Sequence, residues 1–150
     1  MSEYLYIGKL NHRIIYTEST EGEGGIKDTG YLYSDLTEMI IGFAFDIFKQ
    51  IGPRLPEKVY QKAMEVKLTN GGIGFLRENY FKIVVDGRRV GSFKLDFLIE
   101  DKLVLELKVR DYLTDNDIAQ VLTYLKAKNL RLGLILLFTR SIVKVKRVIL

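Results

Sequence analysis

Several residue types that build reactive sites are scarce or absent in this sequence of 150 residues. It has no cysteine and no tryptophan, and its single histidine is His12. The lack of cysteine excludes disulfides and thiolate metal sites, and one histidine excludes multi-histidine zinc sites and disfavours a Ser-His-Asp triad. Any metal site must therefore use oxygen ligands, which favours Mg²⁺, Mn²⁺ or Ca²⁺.

Long hydrophobic runs are also missing. No apolar run approaches the roughly 18 residues that a membrane-spanning helix needs, and Met1 to Leu10 lacks the basic and apolar blocks of a signal peptide. The hydrophobic fraction of 47% and the charged fraction of 28% are ordinary for a globular protein of one domain. We therefore expect a cytoplasmic protein that does not bind a membrane.

Acidic residues are absent from the last 33 residues of the chain. Between Ile118 and Leu150 there is no Asp or Glu, although the net charge of the whole chain is only +4. A basic surface of this kind can follow a phosphate backbone, and Lys126, Lys128 and Arg131 are candidate nucleic-acid contacts. A solvated basic face explains the same pattern equally well.

Residues 1–33 differ from the rest of the chain and are predicted to form a partly flexible appendage. Tyr4 to Ile15 could form a strand or hairpin, and Thr17 to Gly30 is rich in Gly, Glu, Ser and Thr, which is typical of a mobile loop. The folded domain is predicted over 34–150, beginning with Ser34 as an N-cap.

Hydrophobic periodicity predicts eight elements in that domain, in the order α-α-β-β-β-α-β-β. Thr114 and Asp117 form a capping-box-like start for the third helix. That helix would cross over between parallel strands, which gives an α/β fold with a mixed sheet. The predicted helices span 35–50, 56–69 and 114–129, and the predicted strands span 79–85, 89–99, 103–109, 132–138 and 142–149.

Charged residues interrupt two of the apolar strands. Asp96 lies within residues 93–99, and Glu106 and Lys108 lie within residues 103–109. A desolvated charge is costly unless it is paired or metal-bound, and Glu106 and Lys108, two residues apart, share one face of a strand. If the hairpin is centred on Asp101, Asp96 lies directly opposite Glu106, whereas a register shifted by one residue would separate them.

These three residues fit phosphodiester hydrolysis. Two carboxylates could hold Mg²⁺ or Mn²⁺, which would polarise a phosphate and activate water, while Lys108 positions the water or stabilises the developing charge. The alternative is that all three are polar residues on a solvated strand face, because the spacing alone is a weak signal.

The chain from about Leu32 to Leu150 resembles the GxxExxY family of the PD-(D/E)XK nuclease superfamily. The resemblance extends over about four-fifths of the chain. It rests on four stretches that occur in the family's order: 51–60 (IGPRLPEKVY), 91–96 (GSFKLD), 105–108 (LELK) and 119–126 (AQVLTYLK). It implies a restriction-endonuclease-like core, in which helices flank a central mixed sheet.

The resemblance also implies roles for individual residues. Asp96 and Glu106 match the metal-binding acids, Lys108 matches the motif lysine, and Glu57 matches the helix glutamate that completes such sites as a catalytic and metal-binding residue. Supporting positions are Tyr60, Gln120 and Tyr124. Each of these four helix residues also has a structural explanation: Glu57 favours the helix dipole, the tyrosines pack, and Gln120 is a common surface residue.

Two positions depart from the family pattern. Arg54 replaces the first glycine of GxxExxY, which leaves the position of Glu57 open and adds a candidate phosphate contact. Leu95 replaces the proline that precedes the motif aspartate.

Three functions follow from these residues. The first is a Mg²⁺- or Mn²⁺-dependent endonuclease or exonuclease that cleaves DNA, with a homodimer as one expected assembly because many such nucleases pair to cut duplexes. The second is a catalytically silent module that keeps the nuclease fold and binds nucleic acid or a protein partner. The third is an interaction protein that binds no nucleic acid.

Overall fold

A computed structural model describes residues 5–6 and 32–150. Residues 1–33 therefore lie mostly outside the described part, including the loop predicted over residues 17–30. The elements are β1 (Leu5–Tyr6), α1 (Ser34–Ile51), α2 (Glu57–Asn70), β2 (Phe75–Val85), β3 (Arg88–Ile99), β4 (Leu103–Val109), α3 (Asp115–Lys128), β5 (Leu132–Phe138) and β6 (Val143–Ile149).

One six-stranded mixed sheet organises the domain, in the order β1-β6-β5-β4-β3-β2. Strands β4 and β5 are parallel, and the other neighbours are antiparallel. Helix α3 makes the crossover that parallel neighbours require. The predicted α/β class and the predicted order of eight elements are therefore confirmed, with β1 added at one edge of the sheet.

Two hydrophobic cores lie on opposite faces of the sheet. Helices α1 and α2 pack on one face, against residues such as Phe97 and Leu105. Helix α3 packs on the other, against Val104 and Ile135. On that second face the helix and β5 approach closely at Gly133, where a Cβ atom would come within 2.4 Å of Val121 Cγ1. Glycine is thus the residue that allows α3 to sit directly on the sheet.

Several element ends differ from the sequence prediction by one residue, and two differences have a specific cause. Ser34 is the first residue of α1 and not its N-cap, because Thr37 N already donates a hydrogen bond to the carbonyl of Tyr33. Strand β2 begins at Phe75, four residues before its predicted start, because it pairs with β3 as far as Ile99. The capping box of Thr114 and Asp117 is formed as predicted.

Among residues 5–6 and 32–150, no helix has the length and apolar character needed to cross a membrane.

Candidate active site

The backbone pairing of β3 with β4 stops just before Asp96 on β3 and Glu106 on β4. Their paired residues are Ile99 with Leu103, Leu98 with Val104, and Phe97 with Leu105, which is the register expected for a hairpin centred on Asp101. Continuing the register would place Asp96 opposite Glu106. At that point the hydrogen bonds between the two backbones are replaced by bonds from backbone N–H groups to side-chain oxygens.

The two acids bond reciprocally to the opposite strand. Asp96 N donates to Glu106 Oε1 at 3.0 Å, and Leu107 N donates to Asp96 Oδ2 at 2.9 Å. Both side chains are buried, with Asp96 7% and Glu106 8% exposed. On a regular strand, residues two apart face the same side of the sheet. Leu95 and Phe97 face opposite sides, because Leu95 packs in the α3 core and Phe97 packs in the α1–α2 core. We call this arrangement of Asp96 and Glu106 the carboxylate fork.

Helix α2 adds two residues beside the carboxylate fork. The amide Nε2 of Gln61 donates to Asp96 Oδ1 at 3.1 Å and to Glu57 Oε1 at 3.2 Å. Glu57 and Gln61 are four residues apart and therefore share one face of the helix. Gln61, which the sequence analysis overlooked, is the residue that links Glu57 to Asp96.

Lys108 follows Glu106 on β4, Arg110 lies just after the end of that strand, and both reach Asp117 in the first turn of α3. Lys108 Nζ lies 4.0 Å from Asp117 Oδ1, and Arg110 forms an ion pair with the same oxygen. The Asp117 carboxylate also accepts the capping hydrogen bonds from Thr114 N and Oγ1. Asp117 thus holds two cations at the edge of the site, in addition to the capping role that its spacing from Thr114 predicted.

Burial and mutual repulsion govern the acids of the site. Burial, followed by the neighbouring charge of Asp96, raises the pKa of Glu106 to about 8. Burial also raises the pKa of Asp96, against the hydrogen bond from Leu107 and the charge of Lys108, and it raises the pKa of Glu57. Burial would raise the pKa of Asp117 as well, but the bonds from Thr114 and the charge of Arg110 bring it below its ordinary value.

The residues present suit a hard divalent cation in donor type. Glu57, Asp96 and Glu106 supply carboxylate oxygens only, and the charges of Asp96 and Glu57 both raise the pKa of Glu106, so an added cation would offset their repulsion. Their oxygens are not gathered around one point, and no group of three or more Asp, Glu, His or Cys side chains in the described part of the chain is arranged to hold a metal.

Two supporting residues inferred from the resemblance, Tyr60 and Tyr124, pack in the two hydrophobic cores. Tyr60 is fully buried, stacks on Phe138 and donates to the carbonyl of Gly52 at 2.5 Å. Tyr124 is fully buried in the α3 core, with its ring beside Phe81.

The remaining predicted residues are exposed. This group comprises Gln120 on α3 and the four candidate nucleic-acid contacts Arg54, Lys126, Lys128 and Arg131. Of these four, Arg54 lines a cleft together with Arg110 and Arg140, at the ends of β4 and β5. Arg131 precedes β5 and so lies at the opposite end of that strand.

Comparisons with known proteins give one family match and one structural likeness. The crystal structure of a protein named SSO0001 shares 16% sequence identity with a TM-score of 0.49, over 77% of this chain. The chain spans 58% of that protein's length. No curated protein matches the chain.

The family model of the PD-(D/E)XK nuclease superfamily matches residues 34–148. This match covers both helices of the first core, the carboxylate fork and the crossover helix, and it shows that the chain belongs to the PD-(D/E)XK nuclease superfamily.

Proposed function

We propose that the chain is a divalent-metal-dependent nuclease that hydrolyses DNA phosphodiester bonds, with Asp96, Glu106 and Glu57 as metal ligands and Lys108 as a catalytic residue. The observation that carries the proposal is the carboxylate fork. Asp96 and Glu106 are buried, adjacent and repelling, and a cationic side chain follows two residues later on the same strand. Membership of the nuclease superfamily supports the same conclusion.

The fork and its surroundings hold the reactive groups in place. Leu107 N and Gln61 Nε2 each bond one oxygen of Asp96, so its carboxylate cannot rotate freely. When bound, Mg²⁺ would supply charge for the phosphate and a water of lowered pKa. In the hydrolysis, the water oxygen loses a proton and bonds to phosphorus, the bond from phosphorus to the leaving oxygen breaks, and the leaving oxygen gains a proton.

Under this proposal, Lys108 acts on the phosphate or on the attacking water. Its side chain is 24% exposed, and the nearby Asp117 carboxylate keeps it oriented. An ammonium in this position can donate hydrogen bonds to the charge that develops on the phosphate, or orient the water for attack.

The test is a cleavage panel with Mg²⁺ and Mn²⁺ on linear, nicked, branched and single-stranded DNA. The wild type should cleave DNA, and the variants Asp96→Asn and Lys108→Ala should not. Circular dichroism should show that both variants are folded. Asp101→Asn is the matched control, because Asp101 is an exposed acid in the β3–β4 turn of the same hairpin, at φ 54°, a conformation that asparagine tolerates. Cleavage that survives Asp96→Asn and Lys108→Ala would contradict the proposal.

A catalytically silent nucleic-acid-binding module is the second candidate, and the hydrogen bonds of the fork favour it. Both oxygens of Asp96 and one of Glu106 accept bonds within the protein, so these acids would contribute to the stability of the sheet even without catalysis. In that case wild type would cleave none of the substrates, and it would bind DNA in a salt-dependent manner that Asp96→Asn leaves unchanged.

A further inference from the structure

A basic cleft opens at the carboxyl ends of the parallel strands β4 and β5. Its volume is about 360 Å³, and it is lined by Arg54, Arg110 and Arg140, with Asp111 beside them and Phe138 in its wall. In open α/β sheets, ligands bind outside the carboxyl ends of parallel strands. We call this feature the arginine cleft.

The charges around the arginine cleft favour an anion. Three guanidinium groups come from three separate segments of the chain, and one lining carboxylate, Asp111, opposes them. Asp111 Oδ2 lies 3.3 Å from Arg140 Nε, yet the Arg140 side chain remains 64% exposed. Arg110 is held by Asp117 and is 42% exposed. Planar guanidinium groups that still have exposed N–H donors match phosphate geometry.

Arg54 is held in a conformation that costs energy. Its φ is 66°, in the left-handed region that disfavours residues other than glycine. Buried Tyr60 fixes the loop on both sides, because its hydroxyl donates to Gly52 O and accepts from Leu55 N at 3.3 Å. Among residues 5–6 and 32–150, the Arg54 side chain has no ion pair or hydrogen bond. The N–H donors of the Arg54 guanidinium are therefore available to a ligand.

An exposed aromatic ring stands beside the cleft. Tyr112 directly follows the lining residue Asp111, and it is 73% exposed, the highest value among the exposed large hydrophobic residues of the described chain. Lys144 Nζ lies 5.8 Å from its ring centroid and donates to the carbonyl of Asp111 at 3.2 Å. A basic groove next to an exposed aromatic ring is the arrangement that binds single-stranded nucleic acid, since a base stacks on the ring while the groove follows the backbone.

We propose that the arginine cleft and Tyr112 form a subsite for one nucleotide of a single strand, with a phosphate in the cleft and a base on the tyrosine ring. This inference rests on the proposed nuclease function and assigns it a substrate with a single-stranded stretch. Arg110 lies two residues beyond Lys108, directly after the end of β4, and two residues of extended chain span about 6.6 Å. The phosphate in the cleft is therefore a neighbour of the one that is cleaved.

The test is DNA binding without cleavage. A fluorescein-labelled 20-nucleotide single strand and the corresponding duplex are titrated with protein in EDTA, and fluorescence anisotropy gives Kd at several salt concentrations. Arg54→Gly removes the side chain and also relieves the backbone, so a loss of affinity cannot come from misfolding. We expect it and Arg140→Ala each to raise Kd for the single strand at least threefold and to reduce the salt slope by about 0.7.

Tyr112→Ala should raise Kd for the single strand about fivefold or more, with less effect on the duplex. Asp111→Asn should lower Kd, because it removes the carboxylate that competes with the phosphate. The controls are Lys102→Ala, an exposed cation at the opposite end of β4, and Tyr80→Ala, which is 66% exposed on the edge strand β2.

Each outcome decides between the two proposals. If the cleft variants and Tyr112→Ala match their controls, or wild type binds no single strand, the subsite is refuted, whether or not the protein cleaves DNA. If those variants weaken binding while wild type cleaves nothing with Mg²⁺ or Mn²⁺, the subsite stands and the nuclease proposal fails. Equal losses on duplex and single strand would overturn the assignment to single strands.

Discussion

The raised pKa of Glu106 predicts that the metal-free protein loses stability as the pH rises. In the folded protein this carboxyl keeps its proton up to a pKa of about 8, whereas its ordinary value is 4.5. Between these values the folded state binds more protons than the unfolded state, so the free energy of unfolding falls as pH increases. The stabilisation is fully present below pH 4.5 and is lost by the time the pH exceeds about 8.

The size of the effect follows from the same two values. At about 1.4 kcal/mol for each pH unit, the whole interval corresponds to on the order of 5 kcal/mol, and the change between pH 6 and pH 8 to roughly 2–3 kcal/mol. Asp96 and Glu106 titrate as a pair, so this energy belongs to both residues. It is a large part of the 5–15 kcal/mol that is typical of a domain.

Glu106→Gln is the perturbation that isolates this contribution. Glutamine keeps an oxygen to accept the hydrogen bond from Asp96 N but carries no charge at any pH. Urea unfolding in EDTA at pH 6 and pH 8 should show the wild type losing roughly 2–3 kcal/mol and the variant losing less than about 1 kcal/mol. Contributions from titratable groups that both proteins contain cancel in this comparison.

Two further measurements bear on the interpretation. Mg²⁺ at pH 8 should raise the unfolding midpoint of the wild type more than that of Glu106→Gln, because the cation offsets the repulsion that the substitution has already removed. Asp101→Asn, on the exposed turn of the same hairpin, should follow the wild type at every pH. Parallel pH profiles for wild type and Glu106→Gln in EDTA would refute the reasoning.

Three other substitutions test the packing and the positioning of the site. Gly133→Ala should destabilise the protein by about 1–3 kcal/mol in urea unfolding, because the new methyl group collides with Val121; adding Val121→Ala should recover part of the loss, and no recovery would show that the clash lies elsewhere. Tyr60→Phe should cost about 1–3 kcal/mol by the same assay, since two backbone groups of the loop before α2 lose their partner; an unchanged midpoint would contradict this. Asp117→Asn should lower kcat by roughly tenfold with little change in KM, because Lys108 loses its nearby anion; full activity would show that Lys108 needs no such partner.

The sequence predicted the fold and the register of the fork for identifiable physical reasons. A turn at 100–101 between two apolar strands allows few pairings, and burial of one face selects among them. The crossover through α3 followed from an apolar strand on each side of a well-capped helix. These features depend on the order of apolar, polar and turn residues over short segments, which can be read from a single sequence.

The contacts of the site that were missed depend on packing between distant elements. The sequence analysis named Tyr60, although helical spacing puts both Tyr60 and Gln61 near Glu57. Only the docking of α2 on the sheet decides that Gln61 meets Asp96 while Tyr60 enters the core. Asp117 had a sufficient local explanation as a cap, so its contact with Lys108 left no separate signal. The positive φ of Arg54 had one indirect sign, because Arg54 stands where the family pattern has glycine, the residue that this conformation favours.

The carboxylate fork has a consequence for how such chains diverge from one another. Because backbone N–H groups of β3 and β4 depend on the oxygens of Asp96 and Glu106, selection for a stable sheet would preserve acceptor side chains at both positions after an ancestor lost its catalytic activity. The presence of both acids in a descendant would then not by itself show that the descendant is catalytically active. Lys108 bonds no backbone group of the sheet in the described part of the chain, so, if the proposed catalytic role is right, its loss or retention would be the more informative marker of whether a lineage still cleaves its substrate.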